Sequence, residues 1–532
     1  MSKSKVVLIT SGAYANSEIT SDFGLLPPSF LPIGHNRLVE LQVEKINSFD
    51  AVKAITLPDN YKLLERDKIF LSDNNVIIYR SNPNLNLAQS IINFIDKYEE
   101  DNSLKELYIL HGDTSFPKIE QRPDLLYYGF TDKFYKWGNL DYIIEEKSKN
   151  HDYKQAVIAG YFSFSKPNIF REKLVKTNSF ETALKYYHTK NKFEVILKSG
   201  WLDFGHSNLY YKSKMKLNVS RDFNKVIANT NFIKKTSKNL SKIISEYEWF
   251  GQLPESFKIF TPAVWEFKNI NKIASYNIEF IGAPTLQEKW VFGNLPDFVY
   301  NNIINQIFHF ISKSSKVNFN NYSRDYVRDQ FEELYINKTK RRVDEFSSLT
   351  NFDKDKEIVI NEKTYPTLKT FVNSVLLKLT DQINRSNSFT LMHGDLCFSN
   401  ILFDSRSSII KLIDPRGGLD NCFDTKNKIV GDYRYDMAKL GHSLIGNYDY
   451  IVTGFYNLER RKEDLNFNFS LHHKPRKSLN DFFYLKIEEM GVDKSFIDAS
   501  IVNLFISMLP LHAEDEDRQI ALLLNAYKLF YD

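Results

Sequence analysis

The chain has 532 residues, 42% of them apolar and 26% charged, which is material for more than one hydrophobic core and excludes both a lone small module and wholesale disorder. Against 66 acidic side chains stand 70 basic ones, a formal charge of +4, so there is no global electrostatic case for a nucleic-acid or membrane partner. Two cysteines, Cys397 and Cys422, are too few for a disulfide framework, and no run approaches about 18 uninterrupted apolar residues; a cytoplasmic protein without a membrane span is expected.

From residue 5 to about 210, short β-branched runs alternate with longer mixed segments. The runs are KVVLIT (5–10), AVKAITL (51–57), NVIIYR (75–80), ELYILHGD (106–113) and QAVIAGYFSFS (155–165). Between the third and fourth, Leu87 to Tyr98 repeats its apolar residues at helical spacing. This pattern predicts βα units around a largely parallel sheet. The basic stretch 212–222 reads as a connector, with a boundary at 225 and domains 1–225 and 226–532. Beyond it come strand-like KVIANTNFIKK (225–235), a helix-like segment ending in ISEYEWF, and strand-like SYNIEFIG (275–282). A polar, helix-favouring region follows from 290 to 390. Two strand-like pieces, 389–404 and 408–418, then flank polar loops. Strands first and helices later predict an α+β, two-lobed domain.

The most informative constellation lies in those loops. His393-Gly394-Asp395 is followed five residues on by Asn400, and Asp414 sits in Ile413-Asp414-Pro415-Arg416-Gly417. Phosphoryl transfer from ATP needs a carboxylate to orient or accept the hydroxyl proton, and oxygen ligands that hold magnesium on the phosphates. One Asp, an Asn and a second Asp deliver these groups. The segment resembles the aminoglycoside phosphotransferase and choline kinase family, relatives of protein kinases, whose catalytic stretch reads HGDxxxxN followed by an IDxxG-like element. The resemblance implies a protein-kinase-like fold, with Asp395 as the catalytic carboxylate and Asn400 and Asp414 as metal ligands. It further implies a strand lysine on the nucleotide phosphates, Lys235 in preference to Lys234, with Glu246 as its helix partner. Glu279-Phe280-Ile281-Gly282 resembles the segment between the lobes, where adenine bonds to backbone. Tyr435-Asp436-Met437-Ala438 resembles a helix whose Asp436 holds the catalytic loop, and His393 reads as ordering that loop. A choline acceptor would call for an aromatic cage, for which Trp290, Tyr433 and Tyr435 are candidates.

The first half carries a second set. Ser11-Gly12-Ala13 follows the first strand, Pro28-Ser29-Phe30-Leu31-Pro32-Ile33-Gly34 precedes helix-like LVELQVEKI, His111-Gly112-Asp113 ends a strand, and Gly200-Trp201-Leu202-Asp203-Phe204-Gly205 lies near the end. Together with Ala159-Gly160-Tyr161-Phe162 they resemble the nucleotidyltransferases that make nucleotide sugars and CDP-alcohols. That implies a Rossmann-like α/β domain in which Asp113 and Asp203 act at one magnesium, while Ser11, Gly12 and Ala13 bind nucleotide. The glycine-rich loop is altered, having one glycine and no following Arg. Ser29 stands where a Lys is expected, and Arg37 and Lys45 are candidates for the missing charge. The two resemblances imply a bifunctional enzyme that uses Mg2+, ATP and a second NTP, CTP or UTP. It would phosphorylate a small sugar or alcohol and couple the product to a nucleotide, in the manner of capsule-biosynthesis proteins. The competing readings are an antibiotic-type kinase beside a non-catalytic nucleotide-binding domain, and a nucleotide sensor.

Overall fold

In a parallel strand buried on both sides, apolar residues face alternate layers, and Lys5–Thr10 (β1) does this. Val7 and Ile9 point into one layer with Val39, Val43 and Ile46 of helix Leu38–Ile46 (α1). Val6 and Leu8 point into the other, with Ile91, Phe94 and Ile95 of helix Leu87–Glu99 (α2). The start of α2 is fixed locally. The Gln89 amide donates to Asn86 Oδ1 at 2.9 Å and the Asn86 amide donates back to Gln89 Oε1 at 3.1 Å, a reciprocal cap.

The computed structural model describes residues 4–131, 155–217, 224–228, 232–350, 352–416, 427–461, 465–473 and 476–532. The chain forms two units, Met1–Leu217 together with Phe292–Asn294, and Asn218–Val291 with Leu295–Asp532.

In the first unit β1 is joined by Val52–Pro58 (β2), Val76–Ser81 (β3), Glu106–His111 (β4), Leu125–Thr131 (β6), Gln155–Phe164 (β7) and Glu194–Leu197 (β8). The order across this seven-stranded sheet is β8-β6-β7-β4-β1-β2-β3. All pairings are parallel except those of β7, which runs antiparallel to both β4 and β6. Thr10 is the register partner of His111, so the loops after β1 and β4 leave the sheet side by side at its carboxyl edge. Just beyond, Thr114–Ser115 (β5) pairs antiparallel with Leu202–Asp203 (β9), placing Asp203 opposite Thr114. The stretch expected as a connector is helical at first, in Ser207–Leu217 (α3), and its remainder lies outside the described residues.

The second unit opens with an antiparallel sheet of Asn224–Ala228 (β10), Phe232–Ser237 (β11), Val264–Ile270 (β12) and Ile273–Glu279 (β13), in the order β10-β11-β13-β12. The run 225–235, expected as one strand, is therefore two, with the reversal falling outside the described residues. Helix Leu240–Gln252 (α4) follows β11. After 290 the unit is mainly helical, as the late helix-favouring composition predicts. It includes Arg324–Glu332 (α5), Lys338–Thr350 (α6), Tyr433–Leu444 (α7), Lys494–Met508 (α8) and Glu516–Tyr531 (α9). Among the described residues Lys494–His512 is the one stretch long and apolar enough to cross a membrane, and 72% of that window is buried inside the fold. Phe496, Ile497, Ile501, Phe505 and Ile506 of α8 are core residues, and α7 and α9 pack against them. Strand Phe389–Leu391 (β14) and the hairpin Ile401–Asp404 (β15) with Ile409–Leu412 (β16) bracket the loop that carries His393 to Asn400.

Candidate active sites

In the second unit the loop after β14 is held by backbone-directed bonds that its own sequence makes possible. Gly394 adopts φ +84°, a conformation that favours glycine. Asp436, fully buried on α7, accepts the His393 amide at 2.7 Å and the Gly394 amide at 2.8 Å. Burial pushes the Asp436 carboxyl up to about 7. Trp249 Nε1 donates to the Met392 carbonyl at 2.8 Å, and the Trp249 ring meets the His393 ring edge-on. Burial pushes His393 down to about 4, so it is neutral near pH 7 and acts as packing for the loop.

This scaffold delivers Asp395, whose side chain is 14% exposed. Lys439 Nζ of α7 lies 2.9 Å from Oδ1 and Arg416 Nε 3.2 Å from Oδ2. Burial alone would raise the Asp395 carboxyl; the Lys439 and Arg416 charges outweigh it and hold the group far below the ordinary aspartate value. Asn400 Nδ2 donates to the Asp395 carbonyl at 2.9 Å, which turns the amide oxygen away as an acceptor. The Ile413 amide donates to the Asn400 carbonyl at 3.0 Å, and the Arg416 amide to the His393 carbonyl at 2.9 Å. The segment bearing Asp414 is thereby tied to the same loop.

Asp414 adopts φ +55° and leaves about half of its side chain open. Its Oδ1 receives Lys235 Nζ at 2.7 Å. Lys235, buried on β11, also pairs with Glu246 of α4, and the Tyr276 hydroxyl donates to the same Glu246 oxygen. Lys235 therefore bridges two carboxylates from different segments. Desolvation penalises the Asp414 charge, and Lys235 more than compensates, holding that carboxyl low. Asn400 and Asp414 present hard oxygen donors, the ligand chemistry of Mg2+. Among the described residues no cluster of three or more His, Cys, Asp or Glu side chains exists, so an ion here would complete its shell with phosphate and water oxygens.

Beside Asp395 opens a cavity of about 590 Å3, bounded by Asp395, Asn400, Arg416 and Lys439 on one side and by α6 and α8 residues on the other. Of the three aromatic cage candidates only Tyr435 lines it. Trp290 is buried against Tyr300 and Phe398 with the Arg476 guanidinium over its ring, which removes it as a cage wall. The Glu279 amide, at the end of β13, donates to the Ala263 carbonyl at 2.9 Å, so that amide is already committed within the fold. Cys397 is a buried free thiol, while Cys422 lies outside the described residues.

In the first unit Ser11, Gly12 and Ala13 leave β1 beside Gly112 and Asp113. The Ser11 amide donates to Thr56 Oγ1 at 3.0 Å, the Ser29 amide to Ser11 Oγ at 3.0 Å, and Ser29 Oγ to the Gly112 carbonyl at 3.2 Å. A Cβ on Gly112 would lie 2.6 Å from the Thr10 carbonyl oxygen and 2.9 Å from Ser29 Oγ. Ser29 is fully buried in this crowded junction, so it joins loops and does not replace a phosphate-binding lysine. Both candidates for the missing charge already have carboxylate partners. Arg37 is buried, with Nε on Asp67 at 2.9 Å and Nη1 on the Phe30 carbonyl at 2.7 Å, and Lys45 pairs with Glu44 at 2.7 Å.

The structure brings Asp113 and Asp203 together. The Phe204 amide donates to the Asp113 carbonyl at 2.8 Å, and the Gly205 amide to Asp203 Oδ1 at 2.7 Å. A Cβ at Gly205 would stand 2.5 Å from Asp113 Oδ2 and 3.3 Å from Asp203 Oδ1, so only glycine leaves the space between the carboxylates. Asp203 Oδ2 is buried without a hydrogen-bond partner. Burial, then the Asp113 charge, pushes Asp203 up to about 7. A buried, unpartnered carboxylate oxygen beside a second carboxylate suits a divalent cation. Sequence reasoning missed Gln42, whose buried Nε2 donates to the carbonyls of His111 (3.0 Å), Gly112 (3.2 Å) and Thr114 (2.9 Å) and so fixes the loop that presents Asp113.

No protein-family model matches the chain, and neither does any curated protein. Among solved structures the chain is similar to aminoglycoside phosphotransferase APH(4)-Ia, at 11% identity over 58% of this chain and 90% of that one, with a TM-score of 0.36. It is also similar to the streptomycin-ATP-APH(2")-IIa ternary complex, at 13% identity over 61% and 95%, TM-score 0.34. A third is HddC from Yersinia pseudotuberculosis, at 16% identity over 40% and 98%, TM-score 0.29. Site geometry, and not these distant likenesses, carries the functional reading.

Proposed function

We propose that the second unit is a small-molecule phosphotransferase that moves the γ-phosphoryl group of ATP to a hydroxyl. The observation that supports this best is Asp395, kept ionised at the mouth of a cavity on the same loop system that presents Asn400 and Asp414. A carboxylate has about four lone-pair sites. Lys439 and Arg416 take one on each oxygen, leaving acceptor capacity for a substrate hydroxyl. As the acceptor oxygen bonds to the γ-phosphorus, the bond from that phosphorus to the β,γ-bridging oxygen breaks and ADP leaves. The hydroxyl proton passes to Asp395. Lys235, steadied by Glu246, would contact the nucleotide phosphates, and Asn400 and Asp414 would hold Mg2+, which supplies charge neutralisation on those phosphates. The test is binding of the non-hydrolysable analogue AMP-PNP with titrated Mg2+. Asp414→Ala is expected to weaken both affinities by about tenfold or more, since it removes an ionised ligand; unchanged binding of both would refute the assignment.

A second reaction is favoured by the Asp113, Asp203 and Gly205 arrangement in the first unit. Its chemistry would be nucleotidyl transfer: an acceptor phosphate oxygen bonds to the α-phosphorus of an NTP and pyrophosphate leaves. The two carboxylates would hold Mg2+, which offsets the repulsion between the two anions. Ser11, Gly12 and Ala13 would lie against the nucleotide. The sequence of events would be phosphorylation of a small sugar or alcohol and coupling of the product to a nucleotide. Pyrophosphate release with each of the four NTPs and a set of sugar and alcohol phosphates tests this; no release with any pair would leave the first unit without this activity.

A further inference from the structure

A buried phenol normally donates its proton to a protein acceptor. In the second unit the Tyr335 hydroxyl donates to Asp432 Oδ2 at 3.1 Å, that of Tyr300 to the Lys289 carbonyl at 2.7 Å, and that of Tyr450 to the Trp290 carbonyl at 3.0 Å. Tyr435 differs. It is only 5% exposed, and the hydrogen bond its oxygen makes is one it accepts, from Lys338 Nζ at 3.2 Å. Among the described residues its proton has no acceptor.

The helix places that proton near the reacting centre. Tyr435 and Lys439 lie four residues apart on α7, on one face, and Lys439 Nζ is 2.9 Å from Asp395 Oδ1. Tyr435 and Asp395 both line the cavity. A phenol has one proton and two lone pairs. Lys338 takes a lone pair, and its positive charge turns the proton away from itself. The ring is already engaged within the protein: Lys338 Nζ lies 5.1 Å from its centroid, and the Tyr335 ring packs edge-on at 5.7 Å. The hydroxyl, and not the ring, is the part still able to take a partner. Burial would raise the phenol, yet Lys338 and Lys439 bring it below its ordinary value, which marks a polarised O–H and a good donor.

We propose that Tyr435 determines acceptor specificity, its O–H binding a second oxygen of the acceptor while the reacting hydroxyl meets Asp395, so that the acceptor is a diol or polyol and not a simple alcohol. This rests on the phosphotransferase reading of the same cavity. A buried donor without an acceptor is unfavourable, and a ligand oxygen supplies the missing partner. A molecule with one hydroxyl and no other oxygen, such as choline, can satisfy Asp395 but leaves the phenol unpaired. One such hydrogen bond is worth up to about tenfold in affinity.

The experiment uses the full chain with tyrosine isotopically enriched at Cζ, saturated with Mg2+ and AMP-PNP, and follows the Tyr435 carbon by NMR. Loss of the signal in Tyr435→Phe assigns it, and its shift in Lys338→Met assigns it independently, so neither variant has to fold for the other to serve. The probes are glycerol, glucose and glucose 6-phosphate, set against propan-1-ol and choline. Reading at Tyr435 keeps the signal local to this cavity even if a probe also binds the first unit. At least one polyol is expected to shift the Tyr435 carbon at a concentration about tenfold below either mono-alcohol. By calorimetry on the same complex, Tyr435→Phe is expected to weaken that polyol about tenfold and propan-1-ol by less than about threefold, whereas a merely structural loss would weaken both alike. Propan-1-ol or choline acting as strongly as every polyol, no shift with any probe, or an unchanged polyol preference in Tyr435→Phe overturns the proposal. If AMP-PNP does not bind with Mg2+, the phosphotransferase reading falls; if it binds and the polyols fail at Tyr435, only the acceptor proposal falls.

Discussion

Replacing Asp203 by Asn should make the metal-free protein more stable and the first unit incapable of binding its ion. Asn keeps an oxygen for the Gly205 amide but removes a charge whose second oxygen is buried without a partner. The carboxyl stands near 4 in an unfolded chain and is pushed up to about 7 here by burial and by Asp113. A group raised on folding contributes stability that is fully present below its unfolded value and is lost as pH climbs to its folded value. The window is therefore about pH 4 to 7, and at about 1.4 kcal/mol per pKa unit the loss is on the order of 4 kcal/mol. Because other buried groups titrate too, the informative quantity is the difference between wild type and Asp203→Asn, measured with a chelator present. Hydrogen exchange at β1 and β4 amides, referenced to unprotected peptide at each pH, reports on the first unit alone. The variant should gain on wild type by a few kcal/mol more at about pH 8 than at about pH 4. Adding Mg2+ should close the gap by stabilising wild type only. A gap that is the same at both pH values, or a variant that responds to Mg2+ like wild type, would refute the reasoning.

Gly205→Ala should keep the fold and lose metal affinity, because its Cβ would stand 2.5 Å from Asp113 Oδ2 and displace that carboxylate; calorimetric Mg2+ titration beside a melting curve checks this, and retained affinity contradicts it. The pH profile of phosphoryl transfer should fall below about pH 7 through Asp436, whose ionised carboxylate holds the His393 and Gly394 amides, while Asp395 stays ionised throughout. Rates from about pH 5 to 8 should show that acid limb in wild type and not in Asp436→Asn; a limb that persists in the variant assigns it elsewhere.

Local patterns told most where the physics is local. The run Val6 to Ile9 announces a strand buried on both faces, and both faces are covered. In β11 neighbouring side chains point to opposite faces, and Lys235, not Lys234, is the one that meets Glu246. The order and spacing of Asp395, Asn400 and Asp414 were legible because one hairpin links them. What sequence reasoning did not find depends on contacts made at a distance. Strand Leu125–Thr131 and the edge strand Glu194–Leu197 extend the sheet only because β7 reverses direction between β4 and β6. Gln42 left a faint mark, a polar residue on the stripe that Leu38, Val39, Val43 and Ile46 bury. Lys439 and Arg416 are ordinary surface cations in sequence, and only the fold turns both onto Asp395. Lys338, Arg341 and Arg342 are ordinary basic residues in sequence, and only the fold brings them to the cavity.

The claim on which the account most depends is that Asp395 orients and deprotonates the acceptor. Its direct measurement is ADP formation from Mg2+ and ATP, with phosphorylated product followed in parallel, across sugar phosphates, uronates, neutral sugars and alcohols. Wild type and Asp395→Asn are compared, with AMP-PNP affinity as the control. The account predicts that the best acceptor for wild type loses about 10²- to 10⁴-fold in rate in the variant, the range of a general base, while AMP-PNP affinity changes by no more than about threefold. Turnover by Asp395→Asn within about tenfold of wild type would contradict it.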